Sequence, residues 1–320
     1  MNIYQRRTFL KTSLLAAAAT VTTPANAALR GWDQDSVLNR GIHHPFFAGA
    51  KKPDVIAHRG GNGQWPGETM YAMRKAQALG CDVLEMDVYL TGGLHPELVL
   101  MHDIDVHKTT AGKGQVYDYT VEKITALRAD RRWSPDCKPS LPPEDITQHE
   151  DELRVPTLPQ VLKAFPEMRM IIEMKKAPME FSPVARLCQL LKDQKMTEKV
   201  LVASFHAAFM DDFRRSLPEV ATSLTLSIDD AAKMPPTTVE PFIEKTLDNS
   251  SHGQGPDALQ LPYWVINKHI VNKVKERGLA LHAWTVNKPK SMERMKSLGV
   301  DGIITDCPTA LLSSLGRLGD

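Results

Sequence analysis

The sequence has few cysteines, almost no excess charge and no apolar run long enough to span a bilayer. Its 320 residues contain four cysteines whose spacing matches no metal-binding pattern, which excludes a zinc site built from cysteines. A formal net charge of +1 excludes a nucleic-acid binder that depends on bulk positive charge. A Gly-rich dinucleotide loop of the right form is also absent, which argues against a dinucleotide-binding sheet.

The N-terminal segment has the layout of an export signal. Arg6 and Arg7 precede a short apolar run over 14–21, and "ANAA" places small residues around a cleavage point after Ala27. Paired arginines are typical of twin-arginine signal peptides. We therefore expect residues 1–27 to be removed and the mature protein to be periplasmic or secreted. A membrane anchor, which needs roughly 20 apolar residues, is disfavoured because the run is far shorter. A basic N-terminal helix is the other alternative to a signal peptide.

Removal of residues 1–27 takes away three basic and no acidic residues, so the net charge falls from +1 to −2. All four cysteines lie after residue 27, and they are Cys81, Cys137, Cys188 and Cys307. In an exported chain they raise the question of disulfides. Most of them lie in apolar or helical contexts, so we predict buried free thiols, with disulfide pairing as the alternative.

From Asp54 onward, apolar strands alternate with helical stretches. Runs that are apolar on both faces and separated by helices are typical of a parallel sheet covered on both sides. Eight such runs predict an α/β protein with a (β/α)8 barrel over residues 54–320, and an open doubly wound sheet is the alternative. The runs are "DVIAHRG", "DVLEMDVYL", "MRMIIEMK", "KVLVASF", "ATSLTLS", "ALQLPYW", "LALHAWTVN" and "DGIITD". Residues 28–53 are interpreted as a lead-in segment whose Phe46 and Phe47 pack onto the body.

A further apolar run, "ELVLMHD", follows the second strand after only about six residues. A parallel crossover needs a dozen or more residues, so this run is predicted to return as an antiparallel hairpin partner. The hairpin carries His102 back to the end of the sheet where the parallel strands end. The long stretch that follows, about residues 104–155, predicts a lid or a small inserted subdomain. The polar stretch 227–256 predicts a second excursion.

Three acidic residues lie on two of the predicted strands. Glu85 and Asp87 are two apart in "LEMD", so the period of two puts both side chains on one face. Glu173 in "IIEMKK" ends another strand, with Lys175 on the same face. Neighbouring carboxylates repel each other and lose hydration when buried, and a cation between them removes both costs. Glu85, Asp87 and Glu173 therefore predict a site for one hard divalent cation, Ca²⁺ or Mg²⁺.

Two histidines and two cations complete the pattern. His58 and Arg59 follow the first strand, and His102 follows the hairpin. A histidine pair supplies a general acid and a general base near neutral pH. Arg and Lys hold a tetrahedral oxyanion by charge-assisted hydrogen bonds. We therefore predict that His58 and His102 are catalytic and that the reaction is phosphodiester cleavage. Arg59 and Lys175 are the predicted phosphate-binding residues.

These motifs, in their order, resemble the glycerophosphodiester phosphodiesterase family. The resemblance covers about residues 54–309 and rests on "AHRGG", "PGET", "DVLEMDV", "LVLMHD", "TTAGKG", "VPTLPQVLKAF", "IIEMK", "AWTVN" and "GVDGIITD". It implies a barrel enzyme that cleaves glycerophosphodiesters to an alcohol and sn-glycerol 3-phosphate, with Trp284 in the wall of the site. The family commonly has PENT where this chain has PGET, so the role of Glu68 is left open.

Two other interpretations of the same residues stay open. A lysophospholipase D-type or sphingomyelinase D-type enzyme would use the same centre on a lipid, with a groove for the acyl chain expected in the 104–155 insertion. A non-catalytic envelope binding protein would keep the barrel but lose catalytic residues, and all the matching positions are present here. The expected partner is a small-molecule glycerophosphodiester, with no nucleic acid and no stable membrane insertion. The oligomeric state is left open.

Overall fold

The computed structural model describes residues 41–137, 148–226 and 255–318, together with Ile146 and Pro241. The predicted signal peptide and its cleavage point after Ala27 lie outside these residues. So do the first part of the lead-in segment and most of the 227–256 excursion.

Nine strands form one sheet in the described part of the chain. They are β1 (Asp54–Ala57), β2 (Val83–Leu90), β3 (Leu98–Leu100), β4 (Arg169–Met174), β5 (Val200–Ala203), β6 (Ala221–Thr225), β7 (Ala258–Pro262), β8 (Ala280–Trp284) and β9 (Gly302–Thr305). All except β3 pair in parallel, and the sheet closes because β1 pairs with both β2 and β9. This closed barrel of eight parallel strands confirms the predicted (β/α)8 fold. β3 pairs antiparallel with β2, so the predicted hairpin is confirmed as well.

Helices connect the parallel strands. The described α-helices are α1 (Met70–Leu79), α2 (Val121–Thr125), α3 (Leu158–Ala164), α4 (Val184–Asp193), α5 (Ala207–Ser216), α6 (Lys268–Glu276), α7 (Pro289–Leu298) and α8 (Pro308–Ser314). Short 3₁₀ turns span Gly41–His43, Pro45–Phe47, His58–Gly60, Val106–Lys108, Val116–Asp118, Glu150–Leu153 and Met179–Phe181. None of the described helices is both long enough and apolar enough to cross a bilayer.

The ends of α1 follow directly from its sequence. The Oγ1 of Thr69 accepts a hydrogen bond from the backbone N–H of Ala72 at 3.1 Å, which satisfies one of the free donors of the first turn. Gly80 takes a φ of 90° and ends the helix, and this left-handed conformation favours glycine.

Apolar side chains fill the barrel at the amino ends of its strands. The layer consists of Ile56, Val83, Ile171, Leu201, Ala221, Ala258, Ala280 and Ile304. Phe46 and Phe47 of the lead-in segment pack against it, as expected, and Phe46 is fully buried. The guanidinium of Arg169 lies 5.6 Å from the Phe46 ring centroid and pairs with both carboxylate oxygens of Asp54 at 2.7 and 2.8 Å. Because this end of the barrel is closed by packing, the opposite end is the one open to a ligand.

The described part of the 104–155 insertion has an apolar cluster of its own. Val106, Val116 and Ile124 pack with Tyr89 of β2 and Val99 of β3. The insertion is therefore held on the hairpin by burial of these side chains.

The cysteine prediction is half wrong. Cys137 in the insertion and Cys307 after β9 form a disulfide that spans 170 residues of sequence, whereas Cys81 and Cys188 are buried free thiols as predicted. Sequence context did not reveal the pair because its two members come together only in the folded chain. The backbone N–H of Cys137 donates to the carbonyl of Gly63 at 3.0 Å, so the bridge joins the insertion, the loop after β1 and the loop after β9.

Removal of this bridge should destabilise the protein. We expect Cys137→Ser with Cys307→Ser to lower the free energy of unfolding by about 2–5 kcal/mol, because the unfolded chain regains the freedom that a long closed loop denies it. Urea denaturation measures the difference, and Cys188→Ala controls for loss of a buried thiol. Dithiothreitol should lower the stability of the wild type and leave that of the double variant unchanged. Equal sensitivity of the two proteins would contradict a stabilising bridge.

His282 is a buried histidine of the barrel interior. It lies on β8 with 1% of its surface exposed, and its Nδ1 has no hydrogen-bonding partner among the described residues. Burial lowers the pKa of His282 to about 4; Asp54 and Asp301 offset the shift only in part, and Arg169 adds to it. The folded protein therefore keeps this imidazole neutral.

Acid should weaken the fold through His282. The unfolded chain takes up this proton near pH 6.5, whereas the folded chain resists until about pH 4, so stability is lost as the pH falls between these values. Between about pH 7 and about pH 4.5, we expect the wild type to lose about 2.5 kcal/mol more unfolding free energy than His282→Gln. Urea titrations at both pH values measure the losses, with the exposed His43→Gln as the matched control. Equal losses in wild type and His282→Gln would show that this imidazole does not contribute.

Candidate active site

A cavity of about 440 Å³ opens at the carboxyl ends of the strands. Its lining includes all eight side chains predicted from the sequence, which are His58, Arg59, Glu85, Asp87, His102, Glu173, Lys175 and Trp284. This end of a (β/α)8 barrel is where such proteins carry their active sites. The structure therefore brings the predicted residues to one place, while the role of each stays a prediction.

Strands β2 and β4 place the three carboxylates side by side. Glu85 and Asp87 share one face of β2, and Asp87 is paired with Glu173 in the parallel register of the two strands. One ligand oxygen from each of the three lies within 4.8 Å of the others. Glu85 and Asp87 are buried, and Glu173 is partly exposed. A single ion could contact all three.

Burial and mutual repulsion control the charge of these acids. Burial raises the pKa of Glu85 to about 7, and the charge of Asp87 adds to the rise. The same two causes raise the pKa of Glu173 to about 7. Burial also acts on Asp87, but Lys175 and Arg59 outweigh it and hold the pKa of Asp87 well below its usual range. The charged forms of Glu85 and Glu173 are thus destabilised beside Asp87, which stays charged. A bound cation would relieve the repulsion among the three carboxylates.

Glu68 adds a fourth carboxylate to the cluster. It is 4% exposed, and its Oε1 accepts a hydrogen bond from the backbone N–H of Asp87 at 3.0 Å. Its Oε2 has no hydrogen-bonding partner among the described residues. Burial, together with the charges of Asp87 and Glu85, raises the pKa of Glu68 well above its usual range. The sequence left the place of this residue open, and the structure puts it beside the three predicted ligands.

Two cations face the acids. The Nε of Arg59 lies 3.3 Å from Oδ2 of Asp87. The Nζ of Lys175 lies 3.3 Å from Oδ1 of Asp87 and 2.8 Å from Oε1 of Glu173. With all four carboxylates ionised, these two positive charges leave an excess of negative charge that a divalent cation would balance. Since the donors are all oxygens, the residues fit Ca²⁺ or Mg²⁺.

The loop after β1 holds Arg59 in a strained conformation. Arg59 and Glu68 have φ values of 52° and 58°, a region that side-chain-bearing residues rarely adopt. Arg59 N–H donates to Oε2 of Glu85 at 2.8 Å, and Glu68 N–H donates to the carbonyl of Arg59 at 3.1 Å. Gly60 permits the close approach of this loop to α1, because a Cβ there would lie 2.8 Å from the Cβ of Ala72. Gly60 of "HRGG" thus serves the placement of Arg59.

His58 has a carboxylate partner that sequence reasoning missed. Its Nδ1 lies 2.6 Å from Oδ1 of Asp306, and the amide of Asn287 donates to the other oxygen of Asp306 at 2.6 Å. β1 and β9 pair Ala57 with Thr305, so the residues that follow the two strands meet. The sequence marked each residue separately, since "IITD" and "VIAH" each place a titratable residue directly after an apolar strand, but it did not mark their pairing.

The two histidines are biased toward opposite protonation states. Burial alone would lower the pKa of His58, but the charge of Asp306 contributes most to a net rise. Burial lowers the pKa of His102 to about 4, and the charge of Arg59 adds to the shift. One imidazole therefore holds a proton more readily than usual and the other less readily.

Neutral side chains line the other side of the cavity. They are Phe205, Thr225, Gln260, Trp284, Thr285 and Ile304. The rings of Phe205 and Trp284 meet edge to face with their centroids 6.0 Å apart. Trp284 thus lies in the wall of the cavity, the place that the family resemblance implied for it.

Histidines that the sequence assigned to structural roles have structural contacts. The Nδ1 of His44 accepts a hydrogen bond from the backbone N–H of Phe46 at 3.0 Å. The ring of His206 stacks on Phe209 with centroids 4.1 Å apart. Neither histidine lines the cavity.

Comparison with known proteins agrees with this geometry. The model of the glycerophosphoryl diester phosphodiesterase family matches residues 58–310. A glycerophosphodiester phosphodiesterase of Caldanaerobacter subterraneus is 31% identical over 268 residues, which are 83% of this chain and 98% of the relative. A lysophospholipase D of Mus musculus is 24% identical over 284 residues, which are 82% of this chain and 86% of that relative.

A solved structure shares the fold. An Oleispira antarctica phosphodiesterase in complex with the product sn-glycerol-3-phosphate aligns with a TM-score of 0.66 at 22% identity, over 84% of this chain and 98% of that chain.

The family match begins at His58 and runs past Asp306, so it contains every residue of the cavity described above. It also covers well over half of the chain. On this match, and on the identity to the Caldanaerobacter relative, the chain belongs to the glycerophosphoryl diester phosphodiesterase family.

Proposed function

We propose that the protein hydrolyses glycerophosphodiesters to an alcohol and sn-glycerol 3-phosphate, with one divalent cation and acid–base catalysis by histidine. The observation that carries the proposal is the convergence of two histidines, a carboxylate cluster and two cations on one cavity. Family membership supports the substrate class. The product held by the Oleispira antarctica phosphodiesterase is the one this reaction would release.

Glu85, Asp87 and Glu173 would hold the cation, and Glu68 lies beside them as a further oxygen donor. A bound Ca²⁺ or Mg²⁺ supplies Lewis-acid stabilisation of the negative charge that develops on the phosphoryl oxygens. The choice between the two ions rests with experiment, because both take oxygen ligands.

The chain's own residues would carry the proton transfers. Arg59 and Lys175 hold the non-bridging phosphate oxygens by charge-assisted hydrogen bonds. One histidine takes the proton of the attacking hydroxyl, and the other gives a proton to the oxygen of the departing alcohol as its P–O bond breaks. The opposite bias of His58 and His102 suits this division of roles. The attacking group is water or the neighbouring glycerol hydroxyl, and the second route passes through a cyclic phosphodiester that water then opens.

Asp306 would orient His58. Its carboxylate contacts Nδ1, so the other ring nitrogen, Nε2, is left to face the substrate. Asn287 holds the carboxylate from the far side through its amide, and the backbone N–H of Asp306 donates to the amide oxygen of Asn287 at 3.0 Å. The imidazole is thereby fixed in one tautomer and one direction.

The lipid-cleaving alternative finds less support. It was expected to show a groove for an acyl chain in the 104–155 insertion. In the described part of that insertion the apolar side chains pack into the insertion's own cluster or into the main core, and none of the exposed large apolar residues lies there. The non-catalytic alternative is disfavoured because the acid, base and phosphate-binding positions are all occupied by the expected residue types.

We also propose that the mature protein works outside the cytoplasm. The paired arginines and short apolar run of residues 1–27 support export. The disulfide between Cys137 and Cys307 supports an oxidising compartment.

Chelation should abolish the reaction. With glycerophosphocholine as substrate, we expect EDTA to reduce release of glycerol 3-phosphate at least about 100-fold, and Ca²⁺ or Mg²⁺ to restore it. Asp87→Asn should behave like the chelated enzyme and should no longer respond to added ion. Full activity of the dialysed, chelated protein would refute metal dependence.

Loss of either histidine should remove activity without loss of the fold. We expect His58→Ala and His102→Ala each to lower kcat by about 10²–10⁴, with the exposed His43→Ala as the matched control. Circular dichroism would show that the variants are folded. Near-normal turnover by His102→Ala would remove this residue from the mechanism, and failure of the wild type on every glycerophosphodiester would refute the proposed function itself.

Replacement of Asp306 should act through His58. We expect Asp306→Asn to lower kcat at least about tenfold and to lower the pKa of His58, because the neutral amide no longer stabilises the imidazolium. NMR titration of the ring measures the pKa, and the limb of the kcat profile that reports His58 should move by the same amount. Asp306→Glu should restore part of both. An unchanged His58 titration would mean that Asp306 has no positioning role.

A further inference from the structure

Both members of the pair formed by His58 and Asp306 belong to loops that meet at the disulfide. Asp306 directly precedes Cys307, whose side chain is 6% exposed. Cys137, the other member of the bridge, lies in the insertion and is buried to the same degree. His58 begins the loop after β1, which packs against the bridge through Gly63. The bridge is therefore adjacent in sequence to a carboxylate that contacts His58 at 2.6 Å.

Gly63 is the point at which the three segments are joined. Its backbone N–H donates to the carbonyl of Asp306 at 3.1 Å, and its carbonyl accepts from the N–H groups of Asp136 and Cys137, both at 3.0 Å. The position has no room for a side chain, because a Cβ on Gly63 would lie 2.1 Å from Sγ of Cys137 and 3.0 Å from the carbonyl oxygen of Asp306. The bridge thus clamps the loop after β1 against the backbone of Asp306.

The same loop is attached to His58. The carbonyl of His58 accepts from the N–H groups of Gly61 and Asn62 at 2.8 and 3.1 Å. The carbonyl of Asn62 accepts in turn from Nε1 of Trp133 at 2.6 Å, so the insertion holds this loop at a second point. A displacement of the insertion or of Cys307 would therefore reach the imidazole and its carboxylate together.

Hydrogen bonds also join these loops, but the bridge is the covalent link. The side chain of Gln64 exchanges two hydrogen bonds with Thr309 at 2.8 and 3.0 Å, and Asn287 holds Asp306 from the side of β8. Such bonds contribute little net stability each, since water replaces them when a loop moves. A displacement of about 1 Å in the geometry of a reacting group can slow a reaction about 100-fold. Loss of the covalent link is therefore expected to reduce the rate even where the fold survives.

We propose that the disulfide between Cys137 and Cys307 positions the Asp306 carboxylate on His58, so that hydrolysis depends on oxidation of the chain. This inference rests on the proposed function. Reduction by a dithiol breaks the Sγ–Sγ bond and delivers two electrons and two protons, which leaves two thiols on the chain and a disulfide on the reductant. The cytoplasm keeps thiols reduced, whereas an oxidising compartment restores the bridge. The enzyme is thereby slow before export and fast after it.

Turnover of the oxidised and the reduced protein tests this dependence. With glycerophosphocholine as substrate and excess Ca²⁺ or Mg²⁺, dithiothreitol should lower the kcat of the folded wild type at least about tenfold. KM should change less than about twofold, because Arg59 keeps its own contacts with Glu85 and Asp87. Removal of the dithiothreitol in air should restore kcat.

Variants of the cysteines separate the bridge from other effects of the reagent. Cys137→Ser with Cys307→Ser should match the reduced wild type and should not respond to dithiothreitol. Cys188→Ala keeps the bridge and should respond like the wild type. Circular dichroism at the assay temperature gives the folded fraction by which each kcat is divided.

The background of Asp306→Asn separates positioning from a purely structural role. If the bridge acts through Asp306, its reduction should change the kcat of Asp306→Asn less than about twofold. Gly63→Ala is a second variant, which keeps the bridge oxidised and displaces Asp306 by contact alone. It should lower kcat at least about fivefold with little change in KM.

Wild-type kcat in the reduced, folded protein would overturn the inference. An equal fold loss on reduction of Asp306→Asn would assign the bridge to stability alone, which also overturns it. If the chain unfolds when the bridge is lost, Gly63→Ala decides the matter, and an unchanged kcat of this variant would have the same consequence. Absence of hydrolysis by the oxidised wild type would instead refute the proposed function. The two failures are distinguishable, because the first is a comparison of two states of an active enzyme.

Discussion

The site depends on the repulsion among carboxylates that the barrel forces together. Glu85, Asp87 and Glu173 come from two paired strands, and one carboxylate oxygen of each lies within 4.8 Å of the others. Left alone, such a cluster would take up protons or open the fold. Arg59 and Lys175 balance part of the charge, and an ion would balance the rest. Under the proposed function, this destabilising repulsion is what would give the cavity its affinity for a cation.

The surrounding structure keeps that repulsive cluster in place. The apolar layer and Phe46 close the far end of the barrel, so the strands that carry the acids cannot move apart. The strained loop at Arg59 is held by a bond to Glu85 on one side and by Gly60 against α1 on the other. The disulfide at Cys307 anchors the loop that carries Asp306. Strain at the mouth is therefore tolerated because rigid elements surround it.

Much of the fold and of the candidate site could be predicted from the sequence. The predictable features were those that depend on residues close together in the chain. Strand periodicity revealed the barrel, and the period of two put Glu85 and Asp87 on one face. His58 and Glu173 were found because each lies at the end of an apolar run. The pairing of His58 with Asp306, and of Cys137 with Cys307, links residues that are far apart in the chain. Such partners are fixed by ring closure of the sheet and by the path of the insertion, which no local pattern encodes.

The neutral side chains that line the cavity are a second example of what local sequence cannot predict. Gln260 in "ALQLP" and Thr225 in "ATSLT" look like ordinary polar residues in buried strands, and a strand pattern alone cannot say that their partners are missing. Only closure of the barrel sets them opposite the acids.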